Sequence, residues 1–182
     1  MKQINNYITE KLVLNKNSKN KSYHPKTKDE LKELVDKLIK ERGNDADLNN
    51  IDTSKITDMS FLFKDSKFNG DISEWNVSNV TNMQAMFANS EFNGDLSKWD
   101  VSNVTNMHCM FNDSKFTGEN GDISNWDVKK VNRIEFMFAD TKFTGDINNW
   151  EINLNNIQYW TDKYGVFNNS PLENNPPKWY KI

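Results

Sequence analysis

The chain has 182 residues, a single cysteine, 36% apolar residues and a net charge of −3. That length suits one domain, or one domain with a cap, and one cysteine excludes a disulfide framework within the chain. The charge is uneven: residues 1–47 hold eleven Lys/Arg against eight Asp/Glu, and residues 48–182 hold twelve against eighteen, so the main body is acidic and lacks the basic face of a nucleic-acid binder.

The first segment, "MKQINNYITEKLVLNKN", lacks the apolar run of a secretory signal, and no stretch is long and apolar enough for a transmembrane helix. A soluble, cytoplasmic protein is expected, or a secreted or surface one if a leader was removed. "YITEKLVL" is a candidate strand. "KNSKNKSYHPKTK" (16–28) carries five lysines and no acid, the pattern of a solvated loop. Thr27 and Glu30 form a capping box, Leu31, Leu34, Val35, Leu38 and Ile39 form an apolar stripe, and Gly43 ends it, which predicts a helix near 28–42. Residues 1–43 therefore read as an N-terminal cap.

Residues 44–182 repeat. Tryptophans at 75, 99, 126 and 150 are spaced by 24, 27 and 24, the 27 being a 24 with Gly118-Glu119-Asn120 inserted. Phe63, Phe87, Phe111 and Phe138 keep the same register, as do Phe68, Phe92, Phe116 and Phe143. "LNNIDTSKITDM" is a degenerate first unit. "NSPLENNPPKW" is a degenerate last one, ending on Trp179 after an insertion around Tyr159–Gly165. About five 24-residue units with atypical ends predict a solenoid, whose units bury their apolar faces only by stacking.

Within a unit, Ile72, Trp75, Val77 and Val80 have leucine-rich-repeat spacing. Trp75-Asn76-Val77 is expected to be a short strand with Asn76 outward, and Val80, Met83, Met86 and Phe87 a short outer helix. The expected fold is an α/β repeat solenoid, leucine-rich-repeat-like, with short parallel strands plus short helices and an N-terminal helical cap. Ala85 and Cys109 should fill one interior slot, and His108 should sit on an exposed helix position with Ser60, Gln84 and Glu135. Units of the form F-N-G-D-I-S-x-W-x-V-S-N-V-T-N-M-x-x-M-F resemble the BspA-like leucine-rich-repeat proteins of bacteria. The resemblance covers roughly residues 44–182 and implies a right-handed repeat solenoid with a binding role, often at a cell surface.

No phosphate-binding glycine loop, zinc-spaced Cys/His set or nucleophile elbow is present. An enzyme, a cofactor and a metal are therefore not expected, and the Asp71, Asp95, Asp122, Asp146 column reads as turn chemistry. The outward strand face supplies the candidate site: Asp52, Asn76, Asp100, Asp127 and Glu151 in the central column, flanked by Glu74, Lys98 and Lys129. At about 4.8 Å per strand this is an acidic ladder roughly 20 Å long. Adjacent like charges there cost only about 0.9 kcal/mol at water's dielectric, so a solvated face is the plain alternative. The function expected is a non-enzymatic protein-binding module for a basic protein surface. One version is an intracellular inhibitor from a mobile element acting on a host nuclease, such as an anti-CRISPR. The alternative is a surface or adhesion-type structural repeat protein. Neither nucleic acid nor membrane is an expected partner.

Overall fold

The computed structural model describes residues 21–152, 157 and 165–180. The candidate strand at 7–14, the start of the lysine-rich loop and most of the insertion near Tyr159 lie outside the described residues.

The one helix among them, α1 (Lys28–Arg42), is built by its ends. Thr27 Oγ1 accepts from the Glu30 N–H at 3.2 Å, while the Glu30 carboxylate accepts from the Lys26 N–H at 2.7 Å. Gly43, at φ 94°, donates its N–H to the Ile39 carbonyl, a conformation that favours glycine. The stripe of Leu31, Val35 and Leu38 is buried in the same apolar cluster as the first coil's Leu48, Ile51 and Met59.

The expected α/β repeat solenoid is not what forms. Among the described residues there are isolated parallel bridges but no continuous strand or sheet, and no helix besides α1. Each 24-residue unit is instead a coil of consecutive turns, and the polar residues explain why. Asp71, Asn76 and Asn82 each accept the N–H two residues on, from Ser73, Ser78 and Gln84. The residue after each then opens an i→i+3 turn: Ile72 to Trp75, Val77 to Val80, Met83 to Met86. Asp95, Asp100 and Asn106 repeat this one coil later. Side chains that bond their own backbone in this way compete with both helix and strand.

Two departures undo the predicted elements. Trp75-Asn76-Val77 is the junction between two turns, and the bridged column lies elsewhere, at Asp58, Asn82, Asn106 and Arg133. The predicted outer helix is broken by left-handed residues at Ala85 (φ 51°) and Asn89 (φ 52°). Across that segment the amides of Met83, Ala85, Phe87 and Asn89 donate to the next coil's Asn106, His108, Met110 and Asn112 carbonyls, at 2.8–2.9 Å. Alternate amides there bond between coils, while those of Met86 and Ala88 close turns on Met83 and Ala85 within one.

The interior is two zipped phenylalanine columns. Phe63, Phe87, Phe111, Phe138 and Phe167 stack with centroid steps of 5.5, 5.5, 5.6 and 6.0 Å. Phe68, Phe92, Phe116 and Phe143 lie 4.2–4.8 Å from the ring of the same coil. All nine are fully buried. At about 1.5–3 kcal/mol per buried large side chain, these rings supply what a low apolar content would otherwise lack.

Tryptophan has a further role. The indole N–H of Trp75, Trp99, Trp126, Trp150 and Trp179 donates to the carbonyl of Leu48, Ile72, Leu96, Ile123 and Ile147, one coil earlier. The first coil has Ile51 in this column, where no earlier coil of the repeat lies among the described residues.

Candidate functional site

Asn76, Asp100, Asp127 and Glu151 are exposed, Asp52 is half-exposed, and Trp75 and Val77 beside them are buried. The column is thus outward-facing, though carried by turns. The reason for Asp or Asn here is local: Asp52, Asn76, Asp100 and Asp127 each hold the amide two residues on, at 3.0–3.2 Å. Hydrogen bonds from the Ser54 hydroxyl and amide, with His24 adding to them, pull the Asp52 carboxyl down to about 2. The Ser102 hydroxyl and amide lower Asp100 in the same way.

Most of the ladder's charge is paired. His24 Nδ1 lies 3.2 Å from Asp52, Lys98 bonds Glu74, and Lys129 Nζ lies 3.2 Å from Glu151. Glu74 also holds Lys98 above the usual lysine range. These pairs are exposed and contribute little stability; Lys98 and Lys129 offset the charge of Glu74 and Glu151, whereas His24 does so for Asp52 only when protonated. Asp100 and Asp127, on adjacent central coils, have no ion-pair partner among the described residues. Of the carboxylates among the eight candidates, Asp100 and Asp127 are thus the two without an ion pair among the described residues.

The Asp71, Asp95, Asp122, Asp146 column caps turns through Oδ1. Beside its last two members the three-residue insertion opens a cavity of about 310 Å³, lined by Gly118, Gly121, Asp122, Phe143, Gly145 and Asp146. Among the described residues no three His, Cys, Asp or Glu side chains come together to hold a metal ion.

The sequence reading missed one constellation. His108 is half-buried, not exposed, and its column mates Ser60 and Glu135 are fully buried. His108 Nδ1 lies 3.3 Å from Glu135 Oε2, and His108 Nε2 lies 3.4 Å from Cys109 Sγ. Cys109 is half-exposed while Ala85 is buried, so the two do not share an interior slot. The left-handed backbone at Phe61, Ala85, Cys109 and Phe136 (φ 51–63°) places this column at the rim. The column alignment of His108 with Glu135 was visible in the sequence; the turn that buries it was not.

The family described as "Mycoplasma protein of unknown function, DUF285" matches residues 30–150 and 90–177. The chain belongs to that family. No curated protein and no solved structure matches it. No helix among the described residues is long and apolar enough to cross a membrane.

Proposed function

We propose that the protein is a non-enzymatic binding module that presents Asp100 and Asp127 to a basic surface on a protein partner. The observation that carries this reading is their position: adjacent coils, outward, and without the lysine partners that Glu74 and Glu151 have within 4 Å, although the Lys130 charge acts on Asp100 from further away. Hydrogen bonds from Ser102 lower the Asp100 carboxyl, so it stays ionised when a cation approaches. The resemblance of the repeat to BspA-like proteins supports a binding role. An inhibitor that offers nucleic-acid-like acidity to a host nuclease is one member of this class.

The test is capture of partners from the source organism's lysate by the wild-type chain and by the double variant Asp100→Asn, Asp127→Asn. The fold is retained in the variant, because neither residue packs in the core and asparagine keeps the amide cap, as Asn76 does. A true partner is lost with the variant, and also in wild type when salt rises from about 0.05 to 0.5 M, since the screening length shortens severalfold. Its association rate falls more than its dissociation rate rises. Partners captured equally by both chains at both salt concentrations place the interface elsewhere.

A further inference from the structure

Glu135 carries a buried carboxylate, its side chain only 5% exposed. One oxygen faces His108 Nδ1, and the other, Oε1, has no hydrogen-bond partner among the described residues. A carboxylate in that position selects the imidazole tautomer with its proton on Nδ1, donated to Glu135. Nε2 is then an acceptor, and it faces Cys109 Sγ at 3.4 Å. Carboxylate, imidazole and thiol stand in the order that activates a nucleophile. The matching pairs in other coils are Ser60-Phe61, Gln84-Ala85 and Glu135-Phe136, so this arrangement occurs once among them.

The surroundings restrict what can react. In the Cys109 column one neighbouring coil contributes the Ala85 methyl and the other the half-buried Phe136 ring, whose centroid is 6.2 Å from that of His108. The Cys109 N–H donates to the Glu135 carbonyl and the Met110 N–H to the Met107 carbonyl, so neither is left to hold an oxyanion, and a reagent has to spread any negative charge it develops over its own conjugated system. The chain's single cysteine has no second thiol to resolve an oxidised sulfur. What remains is an addition that conserves protons and needs neither oxidant nor leaving group.

We propose that Cys109 is a covalent modification site for a small, uncharged, apolar electrophile of the α,β-unsaturated carbonyl class, with His108 moving the proton and Glu135 positioning the imidazole. The sulfur lone pair forms a bond to the β-carbon while the thiol proton passes to His108 Nε2. The C=C π pair becomes the enolate, and the imidazolium returns its proton to the α-carbon. The apolar walls of Ala85 and Phe136 suit an apolar reagent. Burial, and then the Glu135 charge, push the Cys109 thiol up, against the opposing charges of Arg133 and Lys64. The resting group is therefore S–H, and reaction depends on the base.

N-ethylmaleimide is the probe, with whole-protein mass spectrometry as the readout; one cysteine means every adduct on sulfur reports Cys109. At neutral pH the folded chain labels faster than a free peptide of residues 104–114, which holds the same His-Cys pair without Glu135. His108→Gln places in this column the residue already present at Gln84, so the fold is retained. It lowers the rate by at least about tenfold and abolishes the imidazole inflection in the rate–pH profile. Glu135→Gln lowers the rate by about threefold and keeps the inflection, as expected of a positioning residue. A sulfonated maleimide labels more slowly than the neutral one. A folded chain that labels no faster than the peptide overturns the proposal, and so does a His108→Gln variant with the wild-type rate and pH profile. The first comparison needs no variant.

Discussion

The indole N–H of Trp99 donates to the carbonyl of Ile72, 27 residues earlier, at 3.2 Å. That carbonyl also closes its own coil's turn by accepting the Trp75 N–H at 3.1 Å. One oxygen thus ties a turn and joins two coils, because the indole fills the core and donates at once.

Trp99→Phe keeps most of the buried ring and removes the inter-coil bond. Because the Ile72 carbonyl retains its turn bond, the cost is about 1 kcal/mol, the net worth of one hydrogen bond. Trp99→Ala also empties the site and costs about 3–5 kcal/mol. Denaturant melts separate the two; equal losses would remove the bond from the account.

The turn-capping carboxylates make the fold acid-sensitive. Asp52, Asp58, Asp71 and Asp100 lie below their ordinary value of 3.8 in the folded chain, for Asp58 and Asp71 despite the opposing effect of burial. A depressed folded-state value means the stability is complete above the unfolded value and is lost as pH falls through the folded one. The window runs from about 4 down toward about 2, the value of Asp52. Asp100→Asn keeps a cap, as Asn76 does naturally, and flattens this part of the profile. Thermal melts between pH 2 and 5 show whether the variant is less acid-sensitive than wild type.

Gly70 is fixed by space rather than by φ. A Cβ there would meet the Ala46 carbonyl oxygen at 2.1 Å and the Ala46 nitrogen at 2.8 Å, both backbone atoms. Gly70→Ala therefore has to push two coils apart and costs about 1–3 kcal/mol, the range for overpacking. By contrast, Gly43 has open space around its Cβ position, but φ 94° and ψ 172° place it where glycine alone is at ease, so Gly43→Ala costs about 1–3 kcal/mol through backbone strain rather than crowding. A Gly70→Ala variant as stable as wild type in chemical denaturation would contradict the close approach.

Deleting residues 1–43 removes Leu31, Val35 and Leu38 from the cluster that also holds Leu48, Ile51 and Met59. The exposed apolar edge promotes association, because the ends of stacked repeats need polar caps. Light scattering checks this: a truncated chain that stays monomeric and melts at the parent temperature refutes it.

The sequence displayed the stacking register more clearly than the path within a coil. The Trp75, Trp99, Trp126 column and the paired phenylalanine columns were legible because identical side chains recur at one spacing. The limits of α1 were legible because Thr27, Glu30 and Gly43 act locally. Strand and helix within the unit were misread because Trp75–Val77 alternates and Val80–Phe87 matches a helical period, and a run of turns satisfies both patterns. The contrary signal was present: Asp71, Asn76 and Asn82 in one unit, each able to accept the amide two residues on. The His108–Glu135 pair was hidden for the same reason, since a rim of left-handed turns buries positions that a helix would leave in solvent.

The backward reach of these five indoles, at Trp75, Trp99, Trp126, Trp150 and Trp179, has a consequence for synthesis. A ribosome releases the N-terminal end first, so each tryptophan emerges after the carbonyl that receives it has already been made. Leu48 is waiting when Trp75 appears, and Ile72 when Trp99 does. The chain can be laid down like courses of brick, each fastened to the one beneath before the next arrives. No coil then has to hold its phenylalanines in water until the whole protein is complete.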